Sequence, residues 1–129
     1  MSKLDKESVI GITALLVHAA NIDENYSDHE KELAKEFIRS YLKEENSDEI
    51  LKKAEEIEKN SNQLLNYTNI IKRNSLEIKK DIIEHLWKVL ISDNTVDQYE
   101  SNLMRRICGL IYFSDKQCAE IKLNLLNSK

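Results

Sequence analysis

The sequence predicts an all-α fold, a single compact bundle of about seven helices over residues 1–129 with an internal helix-turn-helix repeat. Three observations predict it. Proline is absent and glycine occurs only at Gly11 and Gly109, which leaves little material for hairpin turns, whereas the abundant asparagines suit turns and helix ends. Apolar residues recur at three- and four-residue spacing along successive segments. A short acidic turn is written twice, as Asp23-Glu24-Asn25-Tyr26-Ser27-Asp28-His29-Glu30 and Asp93-Asn94-Thr95-Val96-Asp97-Gln98-Tyr99-Glu100. A shift of 70 positions lays Asp23 on Asp93, Ser27 on Asp97, Glu30 on Glu100 and Leu33 on Leu103. Each copy follows one apolar helical run and opens another, so each is a corner between two helices.

The first helix is expected from about Asp5 to Ala20, with Val9, Ile10, Thr13, Leu16, Val17 and Ala20 in one apolar stripe and His18 beside it as a hydrogen-bonded boundary residue. At the first corner, Ser27-x-x-Glu30 has the form of a capping box. The second helix carries Leu33, Ala34, Phe37, Ile38, Tyr41 and Leu42 on one face and is expected to end near Lys43. Ser47 is expected to cap a third helix whose narrow seam (Ile50, Ala54, Ile57, Ser61, Leu64) places it at the bundle edge. A short fourth helix is expected over Asn66–Arg73 around Tyr67, Ile70 and Ile71, and Asn74-Ser75 breaks and restarts the chain. The fifth helix, Leu76 to about Ile91, is apolar nearly all round and is expected to be central, with Trp87 in the core. Beyond the second corner, Asp97 is expected to cap a sixth helix bearing Leu103, Met104, Ile107, Cys108, Leu110 and Ile111. Phe113 lies in the next connection, and Ser114 caps a seventh helix with Cys118, Ile121, Leu125 and Leu126.

The bulk numbers narrow the function classes. At 129 residues the chain can bury one core without staples. A formal charge of −4 and a pI near 5.4, with acids and bases interleaved along helices and no basic stripe, argue against binding a nucleic-acid backbone. Neither a signal-peptide pattern nor an apolar run of spanning length is present, so no membrane insertion is expected and the expected location is cytoplasmic. Cys108 and Cys118 are separated by a spacing that fits neither zinc ligation nor a redox motif; Cys108 reads as a core residue, and a reactive thiol would have to be Cys118.

The second corner, Leu86-Trp87-Lys88-Val89-Leu90-Ile91-Ser92-Asp93-Asn94-Thr95-Val96-Asp97-Gln98-Tyr99-Glu100, continues as Leu103-Met104-Arg105-Arg106-Ile107. It resembles the second half of TerB-like, tellurite-resistance-associated domains, whose pattern is Leu-Trp, then Asp-Gly-x-aliphatic-Asp-x-x-Glu, then a Leu-x-Arg-Arg-like helix. The first corner resembles that family's first repeat, and Asn66-Tyr67-Thr68 its middle segment, so the likeness runs from about Ser8 to Leu123. The chain departs from the pattern at the glycine after each aspartate, where it has Glu24 and Asn94, and asparagine takes left-handed geometry more readily than glutamate. The resemblance implies a seven-helix domain with clustered acidic residues in bacterial stress-response systems; a related domain forms the N-terminal part of some J-domain co-chaperones.

Two chemical readings of the corners stay open. Asp23, Glu30, Asp93, Asp97 and Glu100, with Asp28 nearby, are candidate ligands for a divalent cation, Ca²⁺ or Mg²⁺, if the repeat brings the corners together. Alternatively, these residues only cap helices and favour the positive end of the helix dipole. An EF-hand is rejected, because Tyr26 stands where that loop demands glycine. There is no phosphate loop, nucleophile elbow or His-Glu-x-x-His run, and His18, His29 and His85 fall on different helices, so the chain is not expected to be an enzyme. The expected role is a non-catalytic protein-interaction module with protein partners, modulated by a cation or acting as a cation sensor. Its docking feature would be an exposed apolar or aromatic patch including Tyr26, Tyr41 or Tyr99.

Overall fold

Among the described residues seven α-helices follow in order: α1 (Lys6–Asn21), α2 (Asp28–Tyr41), α3 (Ser47–Asn60), α4 (Leu64–Lys72), α5 (Leu76–Ile91), α6 (Gln98–Leu110) and α7 (Asp115–Asn127). The structure, a computed structural model, describes residues 4–21, 27–43, 45–60, 64–91 and 98–127, with backbone alone for 64–66 and 98–100. Among the described residues there is no strand. No described helix is long and apolar enough to cross a membrane.

The centre is formed by α5, as expected, together with α1, whose burial goes beyond the single stripe expected of it. In α1 the buried set is not one stripe: Gly11, Ile12, Ala14, Leu15 and Ala19 join Val9, Thr13, Leu16, Val17 and Ala20. Apolar side chains therefore cover most of its circumference, and only a helix surrounded by others can bury them all. Accordingly α1 packs on α2, α3, α4 and α5, while α5 packs on α1, α2, α4 and α7. Asp5 starts α1, its carboxylate accepting from the Ser8 amide at 2.7 Å. Buried Thr13 satisfies its hydroxyl by donating to the Val9 carbonyl at 2.7 Å. At Gly11 the side chain of Ile70 on α4 fills the space a Cβ would take, so a larger residue there would have to turn the end of Ile70 aside.

Helix ends follow local hydrogen-bond chemistry. The capping box at α2 is present in both halves. The α3 cap is Asn46 rather than Ser47: its Oδ1 accepts from the amides of Asp48 (2.9 Å) and Glu49 (3.3 Å). Asparagine and serine cap about equally well, so two adjacent candidates leave the boundary open by one residue in the sequence. The α3 seam is shorter than expected, with Ile50, Leu51 and Ala54 buried and Ile57 40% exposed. Asn74 closes α4 by donating from Nδ2 to the Ile70 carbonyl at 2.8 Å, and Ser75 opens α5 by accepting from the Ile78 amide at 3.3 Å. Ser114 caps α7 through the Gln117 amide at 3.3 Å.

One continuous core links Leu4 to Ile121 and includes Phe37, Ile38, Tyr67, Ile82, Ile83, Leu86, Met104 and Ile107. Burying each such large apolar side chain is worth about 1.5–3 kcal/mol relative to exposure, which makes this core the main support of the bundle. Trp87 is only 3% exposed, as expected, and its indole Nε1 donates to the Cys118 carbonyl at 3.2 Å. That bond ties α5 to α7 and satisfies the one polar atom of the ring.

Candidate functional site

Of the five candidate cation ligands, the structure describes the side chain of one. Asp23, Asp93 and Asp97 lie outside the described residues, and Glu100 lies in the first turn of α6 with its side chain outside them. Glu30 is 6% exposed and works as the second half of the cap. Its Oε1 accepts from the Ser27 amide at 2.8 Å and from the Ser27 hydroxyl at 3.1 Å. The Ser27 hydroxyl in turn accepts from the Glu30 amide at 3.3 Å. Serine both donates and accepts here, which is why a Ser/Glu pair suits the position. Among the described residues no three His, Cys, Asp or Glu side chains gather as a metal site.

The three histidines go separate ways. His18 is the boundary residue expected, with Nδ1 3.4 Å from Glu58 Oε2 on α3, while Asn21 Nδ2 donates to Glu58 Oε1 at 3.1 Å. His29 is exposed. His85 is buried, its Nδ1 2.9 Å from the Asp81 carbonyl and its ring edge-on to Phe37.

The aromatic candidates divide sharply. Tyr26 lies outside the described residues, and so does the side chain of Tyr99. Tyr41 is half-buried against Phe37, and its hydroxyl donates to Asp81 Oδ2 at 2.6 Å. Burial first, then that carboxylate, push the Tyr41 phenol well above its ordinary value of 10.0. Tyr41 therefore fastens α2 to α5 and is no docking residue.

Among the described residues the aromatic that the fold displays is Tyr112, which sequence reasoning missed. It is 72% exposed and has a φ of 60°, the one positive φ among non-glycine described residues. It follows α6, where the Phe113 amide reaches back to the Cys108 carbonyl at 2.8 Å, and Lys72 Nζ lies 5.1 Å from the centre of its ring. The available signal was an omission: Leu110-Ile111-Tyr112-Phe113 ends a helix with no glycine or asparagine to take the left-handed turn.

The fold also joins what the spacing kept apart. Cys108 on α6 and Cys118 on α7 are buried free thiols that lie against each other, each the largest influence on the other's proton affinity. Trp87 Nε1 is 3.3 Å from Cys118 Sγ. Cys118 also lines a cavity of ≈ 220 Å³ with Trp87, Met104, Arg105, Asp115 and Lys122.

The order of these elements and the capping-box corner can be set beside known proteins. Residues 9–123 match the family model for tellurite resistance protein TerB. Comparison with curated proteins and with solved structures finds no match in either. Because the family match runs from α1 into α7 and is not confined to a single corner, the chain belongs to the TerB family.

Proposed function

We propose that this TerB-family chain acts as a non-catalytic protein-interaction module in a stress-response setting, the setting that its family's tellurite-resistance name suggests. The observation that carries this reading is Tyr112. A left-handed residue with a Cβ costs roughly 1–2 kcal/mol, and glycine would relieve it. The tyrosine contributes little burial in return, because most of its ring faces outward beside Lys72. A strained, displayed aromatic next to a cation is the kind of group that anchors protein contacts. Leu76, the first residue of α5, is also exposed, four positions beyond Lys72. The polar side chains described above serve the fold instead: Glu30 caps, Glu58 joins α1 to α3, and Asp81 joins α2 to α5.

A second reading is a divalent-cation sensor, favoured by the repetition of acidic positions at the two corners. In that reading Asp23, Asp93, Asp97 and Glu100 offer oxygen ligands to Ca²⁺ or Mg²⁺, while Glu30 keeps its place in the cap.

Affinity capture from the native cytoplasm tests both readings, using wild type and Tyr112→Gly, each with Ca²⁺, Mg²⁺ or a chelator. The module reading expects a discrete protein held by wild type and lost by the variant, with helicity unchanged. Equal retention by a folded Tyr112→Gly variant would remove Tyr112 from the contact. A dependence of capture on one cation would support the sensor role, and indifference to all of them would count against it.

A further inference from the structure

We propose that Cys118 and Cys108 form a hydroperoxide-reactive dithiol, in which Cys118 is the attacking sulfur and Cys108 the resolving one. Four observations converge on Cys118. It lines the ≈ 220 Å³ cavity, which is roomy enough for hydrogen peroxide or a small alkyl hydroperoxide and has Arg105 and Lys122 in its wall. The indole N–H of Trp87 is shared between the Cys118 carbonyl at 3.2 Å and the Cys118 sulfur at 3.3 Å, and its share on the sulfur favours a thiolate. It lies in the first turn of α7, its amide bonded to the Ser114 carbonyl at 3.0 Å, where the helix dipole also favours negative charge. Finally, the Cys108 thiol lies against it, and no disulfide joins the two.

Opposing groups are present as well, and the balance favours Cys118. Its thiol is held below its ordinary proton affinity first by the hydrogen bond from Cys108, then by Trp87 and Lys122, against burial and the Asp115 carboxylate. Cys108 is shifted the other way by the same bond and by burial, so the pair shares one acidic and one reluctant thiol. That division suits an attacker and a resolver.

The chemistry closes without a further reagent beyond the hydroperoxide. Cys118 sulfur attacks the distal oxygen of R–OOH and the O–O bond breaks. The alkoxide leaves as R–OH, taking the proton that Cys118 gave up, and Cys118 becomes a sulfenic acid. Cys108 sulfur then attacks Cys118 sulfur, and the sulfenic hydroxyl leaves as water with the Cys108 proton. Two thiols are oxidised to a disulfide and one hydroperoxide is reduced. The product ties the end of α6 to the start of α7 and turns the thiol beside Trp87 into a disulfide sulfur. As the single tryptophan of the chain, Trp87 reports the change directly.

The test treats the reduced full chain with stoichiometric hydrogen peroxide, with acid quenching, thiol alkylation and mass mapping. Expected are joint loss of both thiols within a monomer, a Cys108–Cys118 cross-linked peptide, and a parallel change in tryptophan emission. The rate should exceed that of free cysteine at the same pH by about tenfold or more, as for an activated thiol. Cys108→Ser should stop at a sulfenic acid trapped by dimedone, and Cys118→Ser should leave Cys108 unoxidised. The proposal is overturned if wild type reacts no faster than free cysteine, or if oxidation yields only intermolecular dimers. The wild-type peptide map decides the matter even if a serine variant fails to fold.

Discussion

Replacing Tyr112 by glycine and, separately, by alanine isolates the one strained turn in the described chain. The turn closes α6 in the manner of a Schellman motif, with the Phe113 amide on the Cys108 carbonyl and Tyr112 at φ 60°. Relief of left-handed strain is worth ~1–2 kcal/mol. Against this, glycine gives the unfolded chain extra freedom worth roughly 0.5–1 kcal/mol. The contact with Lys72 at 5.1 Å is exposed and adds about 0.5 kcal/mol to wild type. With the ring 72% exposed, little burial is lost in either variant. Tyr112→Gly should therefore lie between about 0.5 kcal/mol below and about 1 kcal/mol above wild type in stability, whereas Tyr112→Ala keeps the strain and loses the Lys72 contact. The informative quantity is the difference, with glycine more stable than alanine by about 1 kcal/mol. Urea unfolding followed through Trp87 emission measures it, provided the m-value is unchanged. Alanine equal to or above glycine would refute the assignment of strain to this turn, and with it the argument that Tyr112 is kept for contact.

Other perturbations probe the core, the cap and the buried phenol. Trp87→Ala should destabilise by about 3–5 kcal/mol, the cost of emptying a large core site, and a wild-type emission maximum typical of water would contradict its burial. Ser27→Ala should cost about 0.5–2 kcal/mol in the same melts, since the Glu30 amide and carboxylate lose a partner together; a neutral result would remove the cap from the account. Because the folded state raises the Tyr41 phenol above 10.0, its stabilising share is complete below pH 10 and is lost as pH rises toward the folded value. Wild type should thus lose stability more steeply than Tyr41→Phe above pH 10, and parallel curves would argue against the Asp81 bond.

Periodicity carried the helices because a buried face leaves its mark every three or four residues, and all seven segments were legible that way. What it did not carry was the arrangement between helices. Ile12, Leu15 and Ala19 fall outside the apolar stripe that spacing defines on α1, yet the fold buries them because four other helices surround α1. Leu64, which its spacing puts at the end of the α3 seam, instead begins α4. The Cys108–Cys118 contact depends on how α6 and α7 turn at Tyr112, and no spacing rule encodes that turn. Of the candidate cation ligands, the sequence made the role of Glu30 legible through the Ser-x-x-Glu spacing, since a capping box is a local motif complete within four residues.

The corners are alike in sequence but not in chemistry, and the difference sets where a cation could act. In the first, the Ser27 hydroxyl donates to Glu30 and the Ser27 amide donates to the same oxygen, so that carboxylate oxygen is already satisfied by hydrogen bonds. Drawing Glu30 onto an ion would strip the part-buried Ser27 amide of its acceptor, at about 1 kcal/mol, the usual net worth of a hydrogen bond. In the second, Asp97 stands where Ser27 does, and an ionised aspartate accepts but cannot donate to Glu100. On the pattern of the first corner, two carboxylates would take the roles that a hydroxyl and a carboxylate share there, and like charges held close raise each other's cost of ionisation unless a cation lies between them. Ca²⁺ or Mg²⁺ should accordingly favour the second corner. At a hundredfold excess over its dissociation constant, binding would raise stability by about 2.7 kcal/mol. The melt should lose that gain in Asp93→Asn/Asp97→Asn but keep it in Asp23→Asn. Matched NaCl controls for screening, and a cation effect no larger than that of NaCl would leave both corners as caps alone.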